Sequence, residues 1–342
     1  MFRQMLVAGA VAAALMSSTS AFAQEVTLKM QHFLPAPATV PAKFLTPWAE
    51  KVEKESGGRI EIDIFPTMQL GGKPPQLYDQ VKDGVVDLGW TLPGYTPGRF
   101  PSVEAFELPF MMTNAPATSK ALMDYVEKHG ADEFKDVKII AMHVHGPGVI
   151  HAKGDGIRSL EDMAGKKLRG PTRVINNLLS EAGATPIGMP VPAVPEALSK
   201  GVIDGTVIPW EVTKALKVSE LTNTHTEFGG DRALYTAVFV FAMNKAKYDA
   251  MPDDLKKVID DNSGLMAAEW VGQVMWDADA PARKVAEDRK NAFVAIEGEE
   301  LAKWQAAGQK VSDAWAAEMT EKGRDGAAMV NDAKMLIEKY SK

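Results

Sequence analysis

The chain has 342 residues and no cysteine, so neither a disulfide framework nor a lipid-bearing N-terminal Cys is available to it. Its 38 Lys and Arg against 45 Asp and Glu give a formal charge of −7, with no long charge run and no basic face, which argues against nucleic acid as a partner. Hydrophobic residues make up 46% of the chain, as in an ordinary globular protein, and no low-complexity segment or internal repeat interrupts it.

Arg3, the apolar run Leu6 to Met16 and Ala21-Phe22-Ala23 read as the charged region, apolar region and cleavage site of an export signal. Residues 1–23 are therefore assigned to a signal peptide, and the mature chain starts near Gln24. The apolar run is short for a membrane span and no second one follows, so a soluble periplasmic protein is expected, not embedded in the membrane. Even without the leader the chain exceeds what one core usually organises, which predicts two domains.

Val26, Leu28 and Met30 alternate with polar residues as a first strand. A Pro-rich loop follows, then a helix from Lys43 to Ser56 with Phe44, Leu45, Trp48 and Val52 on one face and Gly57-Gly58 beyond its end. Ile60, Ile62 and Ile64 alternate in a second strand, Pro74 to Asp83 is a short helix, and Val85 to Thr91 is a third strand. This β-α-β-α-β order predicts a parallel sheet with helices on both faces. Leu92 to Pro116 is irregular; helix and strand then recur at 116–129 and 137–144. His145-Gly146-Pro147-Gly148 breaks the pattern and marks a crossing between domains. Beyond it come strands at 149–152, 167–169 and 202–207, a helix at 174–181, an uncommitted stretch Ala184 to Val191, and a helix opened by Pro195 and stopped at Gly201. Leu234 to Met243 is a further strand, and the chain is helical from Asp253 almost to Lys342. A strand returning after the second set of αβ units makes both domains discontinuous. The boundaries expected are 24–146 plus about 234–274 for the first and 147–233 plus about 275–342 for the second.

Within this order the stretch Gly165-Lys166-Lys167-Leu168-Arg169-Gly170-Pro171-Thr172-Arg173 places Arg169 at a strand end, beside a loop and the start of the next helix. Such strand ends face the ligand crevice of α/β folds. A guanidinium there holds a carboxylate through two charge-assisted hydrogen bonds. A solvated surface arginine is the alternative on these residues alone.

The motif series Ser56-Gly57-Gly58-Arg59-Ile60-Glu61-Ile62, Phe65-Pro66, Gln69-Leu70-Gly71, Gly84-Val85-Val86-Asp87, Leu108-Pro109-Phe110, Asp162 to Arg169 and Gly201-Val202-Ile203-Asp204-Gly205 resembles that of TRAP-transporter solute-binding proteins, the DctP-like family of dicarboxylate-binding receptors. The resemblance covers essentially the whole mature chain. It implies an α/β, two-lobed, type II-like periplasmic-binding-protein fold, each lobe a mixed sheet flanked by helices, with a long helix across both. It also implies a receptor that is not an enzyme and needs no cofactor, closes on an organic acid and docks on sodium-driven permease subunits. The family's carboxylate-binding arginine falls on Arg169, and a monomer is expected.

Departures from the family pattern narrow the ligand. Positions that are polar in the sialic-acid-binding branch are here Phe33, Leu92, Gly148 or Val149, and Ile208. Hydroxyls or a second carboxylate would lose their partners there on burial. Trp90, Tyr95 and Trp210 are candidate flat walls, and Thr91, Met189 and Val191 complete the expected lining. A small aromatic monocarboxylate of the benzoate or hydroxybenzoate kind is thus expected, with His145 or Thr172 receiving a ring hydroxyl. The alternative is a 2-oxo or 2-hydroxy acid, with Glu211 helping to hold a cation as in the 2-oxo-acid branch. His143, His145 and His151 were weighed as metal ligands, but no third ligand at a convincing spacing joins the strand pair. No nucleophile elbow, H-E-x-x-H, P-loop or Rossmann glycine series is present, so a periplasmic α/β enzyme has no candidate catalytic set.

Overall fold

The computed structural model describes residues 25–342, and the expected signal peptide lies outside them. In chain order the strands are β1 (Val26–His32), β2 (Ile60–Phe65), β3 (Leu88–Thr91), β4 (Val137–Val144), β5 (Gly148–Ala152), β6 (Lys167–Gly170), β7 (Thr185–Gly188), β8 (Gly205–Pro209), β9 (Thr224–Phe228), β10 (Val238–Asn244) and β11 (Ala292–Ile296). They form a five-stranded sheet, β2-β1-β3-β10-β4, and a six-stranded sheet, β11-β9-β5-β8-β6-β7, both flanked by helices.

In the first sheet β1 pairs in parallel with β2 and β3, as the β-α-β-α-β order requires. Leu28, Met30, Ile60 and Leu88 are buried, so the period-2 apolar pattern supplies the core face. β10 runs antiparallel between β3 and β4. Its direction follows from where the chain crosses: β4 leaves the sheet at Val144, and Val238, the first residue of β10, pairs with that same Val144. The chain departs and re-enters at one end of the sheet.

Three expectations need correction. The returning strand begins at Val238, which leaves 234–237 in the crossing, and the strand expected at 202–207 is observed at Gly205–Pro209. The C-terminal stretch is not continuously helical, because Lys290 takes a left-handed φ of 61° and the chain runs into β11, parallel to β9. Both of these strands escaped the sequence reading: Thr224–Phe228 is largely polar, and Ala292–Ile296 is only five residues long. The last helix, Gly326–Tyr340, packs on the helix Ala115–His129 beside the first sheet, and Asp332 accepts from Lys128 at 2.5 Å and His129 at 2.8 Å. The preceding helix, Gly298–Glu321, packs against Arg173–Glu181 beside the second sheet.

The helix Leu265–Asp288 packs on Ala115–His129 and β4 at one sheet and on the short helix Trp210–Thr213 at the other. Its buried stripe is mostly small, with Ala267, Ala268, Val271, Gly272, Met275, Ala278, Ala282 and Ala286 at helical spacing. That permits close approach: a Cβ on Gly272 would sit 2.8 Å from Ser119 Oγ and 2.9 Å from the Ala115 carbonyl. Trp270 packs edge-on against Phe44 at 5.1 Å, whereas Trp276 stays 36% exposed.

Two of the chain crossings between the sheets, at 145–148 and 229–237, lie side by side. The Gly148 N–H donates to the Tyr235 carbonyl at 3.0 Å, tying them together. Two glycines are required by this closeness. A Cβ on Gly146 would meet Asp279 Oδ2 of the long helix at 1.8 Å, and one on Gly148 would meet Tyr235 Cε1 at 2.0 Å.

Candidate functional site

Where the C-terminal ends of β1, β3, β6 and β8 converge on the crossings, they line a small cavity of about 30 Å³. The first sheet contributes Phe33, Leu34, Trp90, Leu92, Tyr95 and His145. The second contributes Arg169, Pro171, Val191, Ile208, Pro209, Glu211 and Val212, and the return crossing with the start of β10 adds Tyr235, Ala237 and Phe239.

Arg169 is 1% exposed. Its Nε donates to the Met189 carbonyl at 2.9 Å and its Nη1 to the Val207 carbonyl at 3.3 Å. Among the described residues no carboxylate pairs with it. Burial lowers its pKa from the ordinary value, opposed only by the Tyr95 and Tyr235 phenols beside it. A buried cation held by carbonyls and facing no anion is arranged to receive one.

The walls are aromatic. Phe33 stacks on Trp90 at 4.8 Å and 10°, Trp90 stacks on Phe239 at 5.0 Å and 6°, and Tyr95 meets Phe33 edge-on at 5.8 Å. Trp90 is fixed from behind, its indole N–H donating to His143 Nε2 at 2.8 Å. That makes His143 an acceptor, and burial pushes its pKa down to about 3.

His145 lines the cavity but is satisfied within the protein. Its Nε2 accepts the Ala237 N–H at 3.1 Å, so the proton sits on Nδ1, which donates to the Gly146 carbonyl at 2.6 Å. Burial lowers its pKa to about 4. It pins the crossing, with both ring nitrogens bonded within the protein. Tyr95 accepts the Val191 N–H at 3.0 Å. Glu211 donates its backbone N–H to Asp279 Oδ1 at 2.8 Å. Burial, then the neighbouring Asp279 charge, push the Glu211 carboxyl up to about 8, and burial raises Asp279 to about 7.

Of the residues expected at the site, Phe33, Trp90, Leu92, Tyr95, His145, Arg169, Val191, Ile208 and Glu211 meet at this cavity. Met189 serves through its carbonyl. Thr91 turns its hydroxyl to the Pro74 carbonyl at 3.4 Å. Thr172 is buried beside the Glu107 carboxyl, off the cavity wall. Trp210 is no wall of this cavity: its indole donates to Glu227 at 2.8 Å, its ring packs on His151 and His225, and with Gly148 and Val149 it borders a second cavity. No group of three or more His, Asp or Glu among the described residues could hold a metal, and His143 and His151 lie in different sheets. The sequence reading missed Tyr235, Ala237 and Phe239. Their alternate spacing was the available signal, hidden because 234–243 read as one uniform strand.

The chain matches the family model described as bacterial extracellular solute-binding protein, family 7, over residues 30–319. A TRAP solute-binding protein from a marine metagenome (unidentified microbe), specific for aromatic acid ligands and solved with 3-hydroxybenzoate, is 53% identical, with TM-score 0.92 and coverage of 93% of this chain and 100% of that one. A TRAP solute-binding protein from Rhodoferax ferrireducens T118, solved with copurified benzoate, is 51% identical, with TM-score 0.91 and coverage of 92% and 98%. The outer membrane transporter protein TsaT of Comamonas testosteroni is 26% identical over 328 residues, 95% of each chain. No helix among the described residues is long and apolar enough to cross a membrane. The α/β frame is thus shared with the two solved receptors, and the chain belongs to family 7 of the bacterial extracellular solute-binding proteins, the periplasmic receptors that serve TRAP-transporter permeases.

Proposed function

We propose that this chain captures a small aromatic monocarboxylate, benzoate or a hydroxybenzoate, and hands it unchanged to a membrane permease. The observation that carries the reading is the buried Arg169 guanidinium, without a carboxylate partner, set beside the Phe33–Trp90–Phe239 stack. One cation calls for one carboxylate. The flat apolar walls reward a ring, with about 0.5–1.5 kcal/mol per aromatic pair beyond burial. A second carboxylate or a ring of sugar hydroxyls would be stranded against Leu92, Ile208 and Phe239. The bound aromatic acids of the relatives at 53% and 51% identity support the same class.

The proposal extends to how the protein works. Residues 1–23 direct export and are removed. The two sheets are cores of two lobes, the first formed by 24–146 with about 234–274 and the last helix, the second by 147–233 with most of the remainder. The lobes close over the ligand about the crossings at Gly146–Gly148 and Leu234–Ala237, which presents a changed surface to the permease. The protein catalyses no reaction on its ligand.

A thermal-shift screen of benzoates, 2-oxo acids, C4 dicarboxylates and sugar acids tests the ligand class. Stabilisation by benzoate and 3-hydroxybenzoate is expected. Stabilisation by dicarboxylates or sugar acids, with none from aromatic acids, refutes it.

A further inference from the structure

Tyr235 is 1% exposed and borders the cavity, yet its hydroxyl has no hydrogen-bond partner. Tyr95 is engaged with Val191, His145 with Gly146 and Ala237, and Arg169 with Met189 and Val207. A buried phenol left unpaired is costly unless something that enters the cavity completes it.

We propose that Tyr235 is a second carboxylate-binding residue, its O–H donating to the same ligand carboxylate that Arg169 holds, so that ligand capture bears directly on the crossing between the sheets. The inference rests on the monocarboxylate reading above. An ionised carboxylate has about four acceptor positions, and a guanidinium fork fills two of them. Tyr235 and Arg169 line this one small cavity together. An acceptor arriving at Arg169 is therefore the group within its reach.

The placement of the phenol is set by the crossings. Its ring lies over Gly148 so closely that a Cβ there would be 2.0 Å from Cε1, and its carbonyl takes the Gly148 N–H at 3.0 Å. His145 stands edge-on to the ring at 5.4 Å, and the next residue, Thr236, donates to the His145 carbonyl at 2.8 Å. The two adjacent crossings thus hold this one side chain. A carboxylate bound by Arg169 from β6 and by Tyr235 from the return crossing links the second sheet to the hinge itself. That is pre-organisation: the donor is in place before the ligand arrives.

The test is Tyr235→Phe, titrated calorimetrically with benzoate and with 3-hydroxybenzoate, beside the unaltered protein. Loss of one hydrogen bond to a charged group is expected to weaken both acids by the same factor, roughly 10- to 100-fold, with the ligand-free melting temperature kept. Weakening of 3-hydroxybenzoate alone would assign the phenol to the ring hydroxyl and overturn the proposal, as would unchanged affinity for both. Gly148→Ala gives an independent check, because it keeps the hydroxyl but pushes the ring aside. A comparable loss for both acids is expected, and native affinity in a folded Gly148→Ala protein counts against the proposal. If the unaltered protein binds a non-aromatic monocarboxylate instead, the aromatic reading fails, and the same Tyr235→Phe comparison on that acid decides the role of Tyr235.

Discussion

Replacing Arg169 by Met separates what the guanidinium does for the ligand from what it does for the fold. The substitution keeps an unbranched side chain of similar reach and removes the charge. On the ligand side, truncating one partner of a buried, hydrogen-bonded charge pair costs about 2–5 kcal/mol, or roughly thirty- to several-thousand-fold in affinity. On the stability side two contributions oppose each other. The bonds to the Met189 and Val207 carbonyls are lost, about 1.5–3 kcal/mol each for a charged donor. A guanidinium buried without a carboxylate is also removed, a desolvation penalty of several kcal/mol. These cancel to within about 2 kcal/mol, so the ligand-free variant should melt within several degrees of the unaltered protein. Calorimetry with benzoate, together with melting curves with and without it, reads both. The expected result is a folded protein whose melting no longer responds to the ligand. Near-native affinity in the folded variant would show that Arg169 is not the carboxylate anchor.

Other consequences are open to test. Burial lowers the pKa of His32, His145 and His225 to about 4 and of His143 to about 3, and lowers His151 as well, whereas an unfolded histidine protonates near 6.5; their contribution to stability is present above pH 6.5 and is lost as pH falls toward 4. Burial raises Glu107 and Glu211 to about 8 and Asp279 to about 7; the unfolded acids ionise near 4, so their contribution is present at low pH and lost as pH rises to 8. The melting temperature should therefore peak near pH 6–7, and a steady rise to pH 9 would contradict these assignments. Arg173, just after β6, bonds Glu104 through Nε at 3.1 Å and through Nη2, and Glu318 at 2.6 Å, while Trp315 donates to Glu104 at 3.0 Å. Glu104→Gln should weaken the closed arrangement, lowering affinity about tenfold and reducing the ligand-induced contraction seen by small-angle scattering; unchanged affinity and contraction would remove this cluster from closure.

The local residues left Arg169 open to a solvated reading, and the family resemblance over the whole chain is what singled it out. Phe33, Leu92 and Ile208 were legible by counting along the same motifs, which fall at strand ends facing the crevice, and Trp90 lies beside them. Tyr235 and Phe239 were not legible. They belong to a segment whose β-branched and aromatic run continues past the point where pairing stops, and only the crossing at Val238 against Val144 turns them to the cavity. His145 lines the cavity, but its bonds to Gly146 and Ala237 were not legible, since they depend on a backbone path that spacing does not reveal. Trp210 was not placeable for a related reason: the chain turns into the short helix Trp210–Thr213 right after β8, and the ring packs on His225 and bonds Glu227. The packing partner of the last helix, Ala115–His129, was not legible because it lies some two hundred residues earlier in the chain.

The central claim is that one carboxylate and an aromatic ring are what this cleft recognises. Calorimetric titration of the unaltered protein with benzoate, run beside a C4 dicarboxylate, tests it most directly. The account predicts saturable one-to-one binding of benzoate and no heat from the dicarboxylate; saturable binding of the dicarboxylate, with none of benzoate, would contradict it.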